Sequence, residues 1–320
     1  MKKISNVILA IALTVFTLAA QPTKYFSKRI DTGSKLESGF FNQISSDGVF
    51  IVSDHFSDKY PKGDGIVKTD FEGNFLWQKS FAGLYVTDFS LLNDTLYLFG
   101  NKYYSDGKGD ILVHILNTNG DSLNTIYFGT NSIEHKLLVR VIPEGGFFGG
   151  YVRTDSLYNA KKDTGIYFRA NRTGKVLWQG GVGTGLYKLK VFGFNLTNDG
   201  NYFMGVGGIP INSKDDKINA VYTKFKPDGT IIFQKRFPPQ NDSLKEEGWG
   251  FRPFEHKSGY FGSFNLTCDT NWTLHDYALQ MYTLDQDMKL VKKGARFLDR
   301  YQTSITKQIE LDNGDFVCIG

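Results

Sequence analysis

Apolar and polar residues alternate along most of this chain in short runs, among them VFIVS from Val49, TLYLFG from Thr95, NYFMGV from Asn201 and GYFGSF from Gly259. Alternation with a period of two puts one set of side chains on each face of an extended strand, so these runs predict β-strands. Polar tetrads stand beside them: SSDG, LNDT, PEGG, TNDG and HKSG, turning at Gly48, Asp94, Gly146, Gly200 and Gly259. Asp-Gly and Asn-Gly pairs suit tight hairpins because glycine accepts a positive φ and Asn or Asp tolerates it. Long amphipathic helical periods are absent.

A second hairpin follows each of the first. It reads GIVKTDFEGNFLWQKSF from Gly65, ILVHILNTNGDSLNTIYF from Ile111, GIYFRANRTGKVLWQGGV from Gly165, AVYTKFKPDGTIIFQKRF from Ala220 and YALQMYTLDQDMKLVKKGARF from Tyr277. Aligned on the turn, the key residue is Gly73, Gly120, Gly174, Gly229 and finally Asp287, and four residues later come Trp77, Asn124, Trp178, Phe233 and Val291. The unit is therefore four antiparallel strands, a to d, repeating about every 50 residues, the size of one propeller blade. A sandwich has no reason to repeat one unit at near-constant spacing, and β-helix coils are much shorter. The expected fold is all-β: a β-propeller with five complete blades and a partial sixth. In that sixth copy, LDNGDFVCIG with Gly314 in its turn, strand a falls near Thr303 to Leu311 and strand b at Asp315 to Gly320. No strand c follows, so a C-terminally truncated propeller is expected. FSKRI from Phe26 matches the outer strand FQKRF from Phe233, so an N-terminal strand d that closes the ring is expected too.

The string VKTDFEGNFLWQKSF resembles the propeller repeats common in secreted bacterial proteins, of the form V-x-K-x-D-x-x-G-x-x-x-W. Asp70, Gly73 and Trp77 fit that form best, followed by Asn171, Gly174 and Trp178. The resemblance spans nearly all of the chain after residue 20 and implies a structural repeat. Sialidase-type Asp boxes place the acid two residues before the glycine, whereas Asp70 and Asn171 lie three before it. A quinone-docking repeat is matched by one blade alone, RANRTGKVLW from Arg169, so no cofactor is expected.

The alternating pattern fails at the N-terminus, where Lys2 and Lys3 precede an apolar run from Val7 to Ala20. A run of about 14 residues, where ~20 are needed to span a bilayer, with small residues at its end, reads as a cleaved signal peptide over 1–20. Residues 21–320 then form the propeller domain, secreted or at the cell surface, with no membrane span. The formal charge of +4 includes those two lysines. The remaining bases are interleaved with acids, which argues against nucleic acid as a partner. The two cysteines, Cys268 and Cys318, fall at different heights of equivalent strands and are expected to stay unpaired.

Turn length predicts sidedness. The a-to-b and c-to-d connections are tight and share one face, so the long b-to-c loops share the other. These loops start at His55, Lys102, Arg153, Ile209 and Asn265 and carry Tyr60, Tyr103, Tyr104, Tyr158 and Trp272 among mixed charges. Rigid rings set among polar groups are what recognition of an extracellular protein or glycan uses, and these five are the candidate binding residues. The acids of the same face, among them Asp64, Asp110 and Asp163, lack the ligand spacing of a calcium loop and read as turn residues; no metal is expected. Neither HExxH, nor Cys-x-x-Cys, nor GxSxG occurs, and His114 inside ILVHIL reads as a packed histidine. The leading expectation is a binding or scaffold module. The alternative is a polysaccharide hydrolase or lyase with carboxylates converging at the propeller mouth from several blades.

Overall fold

The computed structural model describes residues 36–56, 63–103, 109–128, 133–142, 144–154, 163–182, 186–211, 219–237, 254–256, 259–267, 277–298, 307–310 and 316–319. They form five four-stranded antiparallel sheets and one two-stranded sheet. Blade 1 holds β1 (Leu36–Ile44), β2 (Val49–Phe56), β3 (Gly63–Thr69) and β4 (Phe75–Ser80). Blade 2 holds β5 (Leu84–Leu92), β6 (Thr95–Tyr103), β7 (Gly109–Asn117) and β8 (Ser122–Tyr127). Blade 3 follows with β9 (Ile133–Val141), β10 (Phe147–Thr154), β11 (Thr164–Ala170) and β12 (Val176–Val182), and blade 4 with β13 (Leu186–Leu196), β14 (Tyr202–Pro210), β15 (Asn219–Phe225) and β16 (Ile231–Phe237). Blade 5 comprises β17 (Phe254–His256), β18 (Gly259–Thr267), β19 (Tyr277–Leu284) and β20 (Leu290–Leu298), and the partial blade pairs β21 (Lys307–Glu310) with β22 (Phe316–Ile319). Strand order follows chain order in every sheet. The first strands of successive blades touch, β1 with β5, β5 with β9, β9 with β13 and β13 with β17, so they converge on a common axis as in a β-propeller.

Packing of blade on blade erases the alternation where burial is deepest. All of β3 is buried, as are the first six residues of β10 and the stretch Gly165–Phe168 of β11. Three apolar slabs fill the joints: Phe50, Val52, Ile66, Leu98 and Leu112 between blades 1 and 2, Phe99, Val113, Phe147 and Phe168 between blades 2 and 3, and Phe148, Phe194, Tyr202 and Phe225 between blades 3 and 4. Burying each such ring contributes about 1.5–3 kcal/mol.

The repeat form can be read residue by residue. Its lysine, Lys68 in blade 1 and Lys224 in blade 4, is buried and reaches the a-to-b turn, where Nζ lies 2.7 Å from Asp47 and 2.8 Å from Asp199. The acid or amide three residues before the glycine caps the c-to-d turn with its own Oδ1. Asp70 accepts the Asn74 N–H at 2.7 Å, Asn117 the Asp121 N–H at 2.9 Å, and Asn171 the Lys175 N–H at 2.9 Å. This is why the acid stands at that position and not one residue nearer the glycine. In blade 5 the turn differs from expectation. Met288, not Asp287, makes the closing bond to the Asp285 carbonyl and holds φ at 59°, while Lys292, not Val291, lies opposite Thr283 at the repeat's tryptophan position. Val291 is 65% exposed, so the large apolar position is kept in three blades, not four.

Candidate functional site

The feet of the long b-to-c connections are register pairs at the end of each blade opposite the tight turns: His55 with Gly63, Tyr103 with Gly109, Arg153 with Thr164, Gly208 with Asn219 and Thr267 with Tyr277. The expected sidedness is therefore present. Tyr103 ends β6; its side chain, like Tyr60, Tyr104, Tyr158 and Trp272 entirely, lies outside the described residues. So do the segment from Phe26, residues 1–20 and Cys268. Among the described residues no group of three or more His, Cys, Asp or Glu stands ready to hold a metal, and no helix is long and apolar enough to cross a membrane.

Two of the acids expected to be simple turn residues, Asp64 and Asp163, act between blades. Asp64 is 4% exposed and its Oδ2 accepts the Val86 N–H of the next blade's first strand at 2.5 Å. Asp163 does the same for Leu189 at 3.0 Å. A first strand is the edge of its own sheet, so part of its backbone has no partner there, and a carboxylate from the preceding blade supplies one.

Sequence reasoning missed the charged groups on the first strands themselves. Asp88, 4% exposed, pairs with Arg140 of β9 and accepts the Phe89 N–H at 2.9 Å. Arg140 keeps 31% of its side chain exposed and also donates to the Val139 carbonyl at 3.1 Å. Beside them Thr87 donates to the Leu137 carbonyl and Asn101 Nδ2 to that of Glu134 at 3.2 Å. The Glu134 side chain is fully buried, in register with Arg153. Burial raises the Tyr151 phenol above its ordinary range; the Glu134 charge adds to this and Arg153 opposes it. The signal that would have found these groups was a charge inside a strand that its pattern buries: Asp88 in YVTDFSLL, Glu134 and Arg140 in IEHKLLVRV.

His114 is packed as expected, its Nδ1 2.7 Å from Thr125 Oγ1 and its ring edge-on to Phe81 at 4.9 Å, with burial holding its pKa below the usual value. Trp77 and Trp178 are likewise half-buried packing residues on outer strands. Each indole lies on the c-to-d turn of the following blade: a methyl group added at Gly120 would stand 2.9 Å from the Trp77 ring, and one at Gly229 would stand 2.9 Å from that of Trp178.

No family model matches the chain, and no curated protein matches it. Solved structures with a similar chain path include a thermostable family-43 glycoside hydrolase (11% identity, TM-score 0.47, covering 85% of this chain and 97% of that one). A second is a subtype N10 neuraminidase-like protein of A/little yellow-shouldered bat/Guatemala/060/2010 (10%, TM-score 0.49, 84% and 85%). A third is an endo-1,4-beta-xylanase from Bacteroides thetaiotaomicron VPI-5482 (11%, TM-score 0.44, 88% and 93%).

Proposed function

We propose that this chain is an exported propeller directed at polysaccharide, which it seats on the face that carries the long b-to-c loops. The observation that carries this reading is the one-sided layout: every described loop foot lies on one face, and every capped tight turn on the other. Tyr60, Tyr103, Tyr104, Tyr158 and Trp272 then supply rings that stack on the apolar faces of sugars, while the polar residues around them bond the hydroxyls. Two features support export: the leader-like segment from Met1 to Ala20, and the resemblance of the repeats to those of secreted bacterial propellers.

Hydrolysis of the bound glycan is the second reading. It starts from the carboxylates that adjacent first strands carry, Asp88 on β5 and Glu134 on β9, since glycoside hydrolysis needs two such groups; both are buried in this structure and would have to become accessible to the glycan. A glycan array followed by product analysis tests both readings. Retention of a polysaccharide that is lost in Trp272→Ala or Tyr158→Ala supports seating on the loop face. New reducing ends that disappear in Glu134→Gln, while the glycan is still bound, support hydrolysis. Failure to retain any glycan, with the fold intact, overturns the proposal.

A further inference from the structure

Each complete blade ends in an outer strand whose far edge pairs with no strand among the described residues: β4, β8, β12, β16 and β20 all stand last in their sheets. Such an edge offers N–H and C=O groups to other chains, and charged side chains or a side-chain cap on the backbone are what close it. β4 carries Lys79, β16 Lys235 and Arg236, and β20 Lys292, Lys293 and Arg296. β8 holds no charge, but its Asn124 Oδ1 accepts the Thr125 N–H at 2.8 Å. β12 reads VLWQGGV and has neither device.

In blades 1 and 2 the residue just past the outer strand donates its N–H inward, Phe81 to the Asp64 carbonyl and Phe128 to that of Ile111, both at 3.0 Å. Val182 takes that place in blade 3, opposite Gly165. Alternation then turns Gly180 out of the edge frame and leaves the N–H and C=O groups of Gln179 and Gly181 facing away from β11. Gln179 is exposed, and at Gly181, whose φ lies outside the left-handed region, a methyl group would meet nothing nearer than the Gly165 carbonyl at 3.9 Å. Nothing inside the blade calls for glycine there, and a strand glycine over open space marks a place where another backbone comes close.

The geometry points to a second copy of this chain as the occupant: two β12 strands pair antiparallel about Gly180 and join blade 3 of both copies into one continuous sheet. In this register Gln179 stands opposite Gly181 of the second copy and covers it, Trp178 stands opposite Val182, and the out-turned groups of Gln179 and Gly181 bond each other across the two-fold axis. β12 itself thus supplies what its edge asks for, a side chain where the glycine leaves room and a backbone in the matching frame. It also brings no like charges together, whereas β16 or β20 paired with itself would gather lysines and arginines. The edge lies on the outer wall of the propeller, apart from the loop face, and does not depend on the polysaccharide reading.

One pair of short strands is a small contact, so a weak dimer is expected, with a Kd of roughly 10 μM to 1 mM. Sedimentation equilibrium of the full chain across that range, with reductant present so that cysteines do not link copies, measures it. Hydrogen exchange locates it: the Gln179 and Gly181 amides should gain protection as the concentration rises. Gly181→Pro removes an out-turned N–H without touching the ladder to β11 and is expected to abolish the dimer. Gln179→Lys changes an exposed side chain, sets two cations close together at the contact, and is expected to raise the Kd at least about tenfold, which keeps the test open should Gly181→Pro misfold. Leu123→Lys, on the exposed outer strand of blade 2, should leave the Kd unchanged. A chain that stays monomeric throughout, a dimer that persists in both β12 variants, or one lost equally in Leu123→Lys overturns the inference.

Discussion

The joint between blades 3 and 4 and the joint between blades 2 and 3 join the same repeat by different means. At the first, the Trp178 indole lies on Gly229 and against Phe148, which itself stacks on Tyr202 with centroids 3.9 Å apart, and Asp163 holds the Leu189 N–H at the other end. The joint between blades 1 and 2 follows the same plan with Trp77, Gly120 and Asp64. Between blades 2 and 3 the Ile126 side chain, in place of a ring, lies on Gly174, while the inner strands carry polar ties: Asp88 to Arg140, Thr87 to Leu137 and Asn101 to Glu134. Blades 4 and 5 also lack the indole. Phe233 takes its place beside a cavity of about 340 Å³, and Lys235 Nζ reaches the Met288 carbonyl at 2.6 Å. Where the ring is kept, apolar packing closes the outer edge. Where it is lost, a smaller apolar side chain stands at the outer edge, and the polar ties run between first strands or to the turn of the next blade.

The largest expected effect separates the two kinds of joint. Trp178→Ala should cost about 3 kcal/mol, the low end for emptying a large aromatic site because this ring is half-exposed, whereas Asn124→Ala should stay within about 0.5 kcal/mol. Urea denaturation of both variants checks this, and equal losses would erase the contrast. Trp178→Phe should keep most of the packing and lose about 1 kcal/mol for the bond to Pro227.

Next in size is the inner end of the first joint. Asp64→Ala leaves the Val86 N–H without this acceptor and should cost about 1–3 kcal/mol, while Asp64→Asn, whose amide oxygen can still accept, should recover most of it. Hydrogen exchange at the Val86 amide reports the loss directly.

The smallest effect concerns the pair shared by blades 1 and 4 but not blade 2, where Ile115 stands in place of the lysine. Partial burial disfavours the Asp199 carboxylate, but hydrogen bonds from Lys224, Thr197 and Asn201 outweigh it and hold its pKa well below the usual carboxylate range. Because the folded value is depressed, this group stabilises the fold above the ordinary carboxylate pKa near ~4, and the contribution fades as pH falls toward the folded value. Asp199→Asn should therefore flatten the fall of stability below about pH 4 and leave the slope near neutrality unchanged. An acid-unfolding curve identical to that of the parent would show the pair to be inert.

Much of this protein was legible in one dimension because a propeller is a local fold. Each blade is made of consecutive hairpins, so turn glycines at Gly73, Gly120, Gly174 and Gly229 and period-two alternation were enough to count the blades and to predict which face carries the long loops. Blade 5 was read one residue out because Met288 occupies a left-handed position that glycine fills elsewhere, and an Asp stood beside it. The repeat also marked Trp77 and Trp178 as structural positions. Which surface they pack on was decided by the tertiary structure, since Gly120 and Gly229 belong to the next blade and no local pattern links them. The same holds for Asp64, Asp163 and the Asp88–Arg140 pair. Their partners lie on neighbouring first strands, and contacts between sheets depend on how the blades stack around the axis, which alternation within a strand does not encode.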